Sequence, residues 1–185
     1  MEVFDRISDE LAAFIAEQPL FFVASAPTTG GHVNLSPKGL DTLRVIDPVT
    51  VAYLDLTGSG NETSAHVADN GRLTIMLCSF GAKAMILRLY GRCRTVLSAD
   101  AGFAGLRRHF GDYVGERQIL VLDVERVQTS CGYAVPRMDN PRQRDTLLRW
   151  SENKGPDGIV AYQREKNVTS IDGLAAPIAR KLAKA

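Results

Sequence analysis

The chain is poor in several features that would decide its class at once. Its three cysteines, Cys78, Cys93 and Cys131, form an odd, widely spaced set, which suits reduced thiols in a cytosol better than a disulfide framework. Charge of one sign is missing too. Against 22 Lys and Arg stand 21 Asp and Glu, a formal net charge of +1, without the basic surplus of a general nucleic-acid binder. No apolar run approaches the roughly 20 residues that span a bilayer, so no membrane partner is expected. The opening MEVFDRISDELAAFIAEQP has neither a basic n-region nor a small-residue cleavage site and does not read as a signal peptide. Three histidines (His32, His66, His109), with no C-x-x-C and no H-x-x-x-H, offer no metal-ligand spacing. Neither G-x-x-x-x-G-K-S/T nor G-x-G-x-x-G occurs, so both nucleotide fingerprints are absent. Without G-x-S-x-G, Ser36 lacks the setting of a hydrolase nucleophile.

What is present is ordinary for a globular protein: 45% hydrophobic and 23% charged residues, enough for a real core. Phe4, Ile7, Leu11, Phe14 and Ile15 recur at helical spacing, and Pro19 closes that first helix. β-like runs follow: LFFVASAP, HVNLSPKG, LRVI, VTVAYLDL, RLTIMLCSF, MILRLYGRCRTVL and ILVLDVERVQTS, separated by turn signals at Asp47-Pro48, Asn70-Gly71 and Gly81. Two helices interrupt them, near 61–69 and 101–110. Beyond Tyr133, PRQRDTLLRWSENKG and DGIVAYQREKN read as helices, the first turning Leu147, Leu148 and Trp150 inward. The final APIARKLAKA reads as a short helix or a frayed tail. The pattern predicts a mainly β fold with helical additions, an antiparallel barrel or sandwich over 1–132 with a helical extension over 133–185.

Two stretches carry the functional signal. GHVNLSPKG alternates, so Val33, Leu35 and Pro37 lie on one strand face and His32, Asn34, Ser36 and Lys38 on the other. That polar face meets either water or a ligand. In LDLTGSGNETSAHVADNGR, two glycines precede a helix, and Ser59 with Glu62 has the spacing of a capping box. A glycine-bearing loop at a helix start is also a seat for an anion. Elsewhere, His66 reads as a packing residue, His109 as a cation at a helix C-terminus and Cys131 as a buried structural thiol.

HVNLSPKG, then VAYLDLTGSGNETSAHVADNGRLTIMLCSF, then LRLYGRCRTV, resemble in order and spacing the pyridoxamine 5'-phosphate oxidase-like, FMN-binding split-barrel superfamily, over roughly residues 1–130. QTSCGYAVPRM and NVTSIDGL resemble a subgroup distinct from the biosynthetic oxidase. The resemblance implies a six-stranded antiparallel Greek-key split β-barrel, a homodimer, and flavin along 33–38 with its phosphate near 58–66. It places Asn34, Ser36 and Lys38 against the flavin, with Thr63 and Ser64 at the phosphate.

The chain also departs from that family. Where the biosynthetic oxidase carries a Ser-Arg-Lys run for the phosphate, spacing puts Glu62, Thr63 and Ser64 here, so two hydroxyls remain and both cations are gone. Compensating charge is sought among Lys38, Arg44, Arg72, Arg88 and Arg92. Arg88, which interrupts MILRLYG, is either the phosphate cation or an edge-strand charge. The chain ends SIDGLAAPIARKLAKA, without the Arg-Leu-His type motif that grips the vitamin phosphate, so oxidation of pyridoxamine phosphate is not expected. The expectation is an FMN-dependent oxidoreductase acting on a small molecule. The alternatives are a non-catalytic split-barrel protein that has lost FMN phosphate binding, and a barrel holding another planar ligand such as a deazaflavin or haem.

Overall fold

The computed structural model describes residues 1–183; Lys184 and Ala185, the end of the expected C-terminal helix or tail, lie outside the described residues. The first half contains β1 (Glu2–Phe4), α1 (Asp9–Glu17), β2 (Phe21–Ser25), β3 (Asn34–Lys38), β4 (Leu43–Asp47), β5 (Thr50–Leu56) and α2 (Glu62–Asn70). The second contains β6 (Arg72–Cys78), β7 (Ile86–Val96), α3 (Phe103–Arg107), β8 (Glu116–Ser130), α4 (Thr146–Lys166) and α5 (Ile178–Leu182).

Among the described residues the strands number eight rather than six. Their order is β3-β2-β6-β7-β8-β5-β4, all antiparallel, with β1 added beside β8. The terminal strands β3 and β4 are not hydrogen-bonded to each other, so the sheet does not close. The extra strand is β1. Phe4 belongs to no helix: it pairs with Val127 of β8, and α1 starts only at Asp9 behind an N-cap at Ser8, whose Oγ accepts from the Leu11 amide at 3.3 Å.

The sheet curls around one main core. Val23, Val51, Ile75, Leu89 and Leu122, from five strands, are fully buried in a single cluster that α1 completes with Leu11, Phe14 and Ile15. Each such side chain contributes about 1.5–3 kcal/mol on burial. β5 is covered on both faces: Val51 and Tyr53 enter this core, while Ala52 and Leu54 pack with Ile119, Val121 and Phe110 in a second cluster. At Gly91 the β7–β8 register shifts, and an added Cβ would stand 2.0 Å from the Asp123 carbonyl oxygen, so only glycine fits. Gly71, at φ 72°, ends α2 as a left-handed cap.

The C-terminal part keeps the two expected helices as the halves of a broken α4, but the first starts later than expected. Residues 133–145 carry no helix; Gln143 anchors that stretch, donating to the Pro19 carbonyl and accepting from the Leu40 amide. α4 breaks at Gly155 (φ 66°) ahead of Pro156, and Leu147, Leu148 and Trp150 are half-buried. α5 returns to the sheet, packing Ile178 and Leu182 with Ala65 of α2 and Leu97. Cys131, read as buried, is exposed just beyond β8, where pairing ends. No helix among the described residues is long and apolar enough to cross a membrane.

Candidate functional site

β3 is an edge strand bonded only to β2. Its outer face is the apolar one: Leu35 is 63% exposed and the neighbouring Val33 77%. The polar face turns inward, and Asn34, Ser36 and Lys38 border a cavity of about 610 Å³. The opposite wall comes from the end of β5, the 58–61 loop, the first residues of α2, Arg117 at the start of β8, and residues 169–171 beyond α4.

A buried carboxylate organises this wall. Asp55 accepts from Lys38 Nζ at 2.8 Å on one oxygen. Its other oxygen accepts from Arg117 Nε and Nη2, at 3.0 and 2.8 Å, and from Gln118 Nε2 at 2.8 Å. The Asp55 and Arg117 side chains are only 4% and 3% exposed. Burial alone would push the Asp55 carboxyl up, but the Arg117 guanidinium and the Lys38 ammonium outweigh it and hold the group well below the usual carboxylate range. Arg117 Nη1 also donates to the Gly60 carbonyl at 2.8 Å, fixing the glycine loop. Gln118 Nε2 reaches Asn61 Oδ1 at 2.7 Å, and Asn61 heads α2 without a side-chain cap.

The pairing leaves donors unspent. Lys38 uses one of its N–H groups on Asp55, and Arg117 uses three, two on Asp55 and one on Gly60, so each cation keeps two. Hydroxyls stand beside them: Ser36 Oγ donates to Asn34 Oδ1 at 3.2 Å, and Asn34 Nδ2 to Thr63 Oγ1 at 3.0 Å. Behind them Tyr53 is buried, with a hydroxyl lacking a hydrogen-bond partner and a ring centroid 5.9 Å from Lys38 Nζ. Burial raises Tyr53 well above the ordinary phenol range, so it stays protonated. With Lys166 and Glu62 also on the rim, three cations face two carboxylates and the cavity is net positive by one. Such a surface can hold an anion bearing several acceptor oxygens.

Four of the six residues singled out in the sequence, Asn34, Ser36, Lys38 and Thr63, therefore meet on one cavity. Ser64 does not. It is fully buried and turned into the sheet, bonded to Thr95 and Gln118. Arg88 lies on β7 with its Nη1 on Ser130 Oγ, away from the others. Arg44 is held by Asp41, Arg72 by Asn70, and Arg92 by the Asn70 carbonyl, all outside this wall. The capping box does not form: Asn61, not Ser59, precedes α2, and Glu62 Oε2 accepts instead from the Ile171 amide at 3.0 Å. His66 packs as read, buried with its Nδ1 3.0 Å from Ser25 Oγ. The central groups Asp55, Arg117 and Gln118 are not among the residues that sequence motifs point to. Their signal was charged or amide residues interrupting apolar strand runs, as in VAYLDL and ERQILVL.

The chain has relatives among known proteins. The family pattern described as "Pyridoxamine 5'-phosphate oxidase" matches residues 7–131. The pyridoxamine 5'-phosphate oxidase family protein ustO of Aspergillus flavus is 40% identical over 190 residues, spanning 92% of this chain and 76% of its own. Among solved structures, a candidate pyridoxamine 5'-phosphate oxidase from Lactobacillus delbrueckii superposes with a TM-score of 0.56 at 16% identity, over 69% of this chain and 99% of that one. The HupZ protein of Group A Streptococcus gives 0.53 at 22% identity, over 67% and 99%. At these identities the two structures establish likeness of fold alone.

Proposed function

The chain belongs to the pyridoxamine 5'-phosphate oxidase family, and from that premise we propose that the cavity beneath β3 holds FMN and that the protein is a flavin-dependent oxidoreductase acting on a small molecule. The observation carrying this reading is the convergence of the polar β3 face on Lys38 and the buried Arg117, each with free N–H groups. These two cations take the place of the missing Arg-Lys pair at the start of α2. The donor set fits the ligand: cations and the Thr63 hydroxyl for the phosphate, Asn34 and Ser36 for ribityl and ring oxygens.

Bound FMN would supply the electron transfer, while the protein binds and orients it. Lys38 and Arg117 hold the anionic end. Asp55 positions both cations and keeps the cavity from being overcharged when empty. Asn34 and Ser36 fix each other's rotamers and so present a set pattern of donors and acceptors. No side chain is assigned as an acid or base.

The working unit in this reading is a homodimer. An edge strand with its apolar face outward, at Val33 and Leu35, is a surface that soluble proteins normally cover. A second reading, a split-barrel protein that no longer binds FMN phosphate, draws on the two carboxylates, Asp55 and Glu62, that border the same cavity. The spectrum of freshly purified protein, followed by titration with FMN, separates the two. Flavin absorbance that travels with the protein, or saturable quenching of FMN fluorescence, supports the first. Neither signal would leave the second.

A further inference from the structure

Another cavity lies just past the end of β3, where the β2–β3 ladder stops with Phe21 opposite Lys38. Pro37, opposite Phe22, has no N–H, so the next hydrogen-bonded pair in that register would be Pro19 with Leu40. The side-chain amide of Gln143 stands between those two instead. Its Oε1 accepts from the Leu40 amide at 3.1 Å, and its Nε2 donates to the Pro19 carbonyl at 2.6 Å. Gly39 makes room for this wedge, since an added Cβ would lie 2.9 Å from Gln143 Oε1. The strands are held apart, and a cavity of about 320 Å³ opens beside the wedge. Leu20, Leu40, Phe80 and Met138 give it apolar walls, and Arg142 and Arg144, on either side of Gln143, give it charge. The segment is pinned at a second point, the Met138 amide donating to the Phe80 carbonyl at 3.1 Å. Both arginines are exposed, and neither is in an ion pair among the described residues. No carboxylate among the described residues borders the cavity. Asp41 and Asp145, adjacent in the chain, are held by Arg44 and Arg149. Gln143 Nε2 adds one more unspent N–H.

We propose that this cavity is a separate binding site, for a small carboxylic acid with an apolar body. The guanidiniums of Arg142 and Arg144 offer planar pairs of N–H groups, the geometry that a carboxylate accepts bidentately. The four apolar side chains take the body of the acid out of water. Neither half of the lining is satisfied alone: a bare anion leaves the apolar walls wet, and a neutral apolar molecule leaves the guanidiniums unused. The cavity is at the small end of ligand pockets, so the acid is small. Its charge balance sets it apart from the cavity beneath β3, where Lys38 and Arg117 share Asp55. The site stands whether or not that other cavity holds a flavin.

The test titrates the purified protein with phenylbutyrate, octanoate, phenylbutanol and inorganic phosphate, followed by backbone amide shifts in NMR spectra. The same titrations are run on the double variant Arg142→Gln/Arg144→Gln, whose exposed substitutions leave the fold intact. Both carboxylates should shift the amides of Leu40, Phe80 and Met138. The wild type should bind phenylbutyrate about tenfold or more tightly than phenylbutanol, which has the same body without the charge. The double variant should bind the acid and the alcohol alike. Equal binding of the two by the wild type, or a double variant that keeps the preference, would overturn the proposal. Phosphate binding as tight as that of the acids would make this a plain anion site and overturn it too. So would the absence of any shift with either carboxylate, or shifts confined to Lys38 and Arg117, which would put the acid beneath β3.

Discussion

Replacing Asp55 by asparagine should make the protein less stable and better at binding an anion. In the folded chain the Asp55 carboxylate is buried between Arg117 and Lys38. Removing one member of such a buried pair costs about 3–5 kcal/mol, because the surviving charge is left in a poor solvent. Asparagine keeps one carbonyl for Arg117 or Gln118 and Lys38 is partly solvated, so about 3 kcal/mol is expected. For a chain of this size that lowers Tm by roughly 6–12 °C. The pH dependence has a definite sign. The folded carboxyl lies below its ordinary value of 3.8, so its contribution is complete above that value and is lost as pH falls towards the depressed folded one. The gap between wild type and variant should be flat at neutral pH and narrow below about pH 4. Meanwhile one negative charge leaves the cavity wall, and FMN should bind about tenfold more tightly. Urea unfolding from pH 7 to 3, with FMN titration of the same samples, reads both. Unchanged stability would refute the assignment of Asp55 as the organiser of the site, and weaker FMN binding by a folded variant would mean that its positioning of Lys38 and Arg117 outweighs its charge.

Lys38→Ala leaves Arg117 to neutralise Asp55, so it should cost little stability while FMN affinity falls about ten- to a hundredfold, as for loss of a charge-assisted bond; fluorescence titration checks this. Restoring the family's run at Glu62-Thr63-Ser64 should fail at its last residue. Ser64→Lys drives an ammonium into a fully buried position, and denaturant unfolding should show a loss of about 3 kcal/mol or more. Val33→Asp with Leu35→Asp should turn a dimer into a folded monomer in sedimentation, whereas a wild type that is already monomeric at micromolar concentration would remove the dimer. In native protein Cys131 should react quickly with a thiol reagent, while Cys93, which burial pushes up to about 12, and the buried Cys78 should react only on unfolding.

The parts of this site that can be read from the sequence are the local ones. Strand alternation sorts Asn34, Ser36 and Lys38 from Val33 and Leu35 because it depends only on neighbouring residues. It does not say which face is outside, and here the apolar face is, because the polar face borders the cavity. The Asp55–Arg117 pair was invisible because its members are brought together by β5–β8 pairing, where Asp55 lies opposite Gln118. The capping box failed for a similar reason: Glu62 had a distant competitor, the Ile171 amide, that local spacing does not reveal. β1 carries no local signal because its three residues gain strand character only from their partner in β8.

The most direct measurement of the central claim is a calorimetric comparison of FMN with riboflavin on the purified protein, at low and high salt. If Lys38 and Arg117 hold the phosphate, FMN should bind about tenfold or more tightly than riboflavin, and added salt should shrink that margin without affecting riboflavin. Equal affinities, or a margin indifferent to salt, would mean that the two cations serve only Asp55 and that the cavity does not recognise a phosphate.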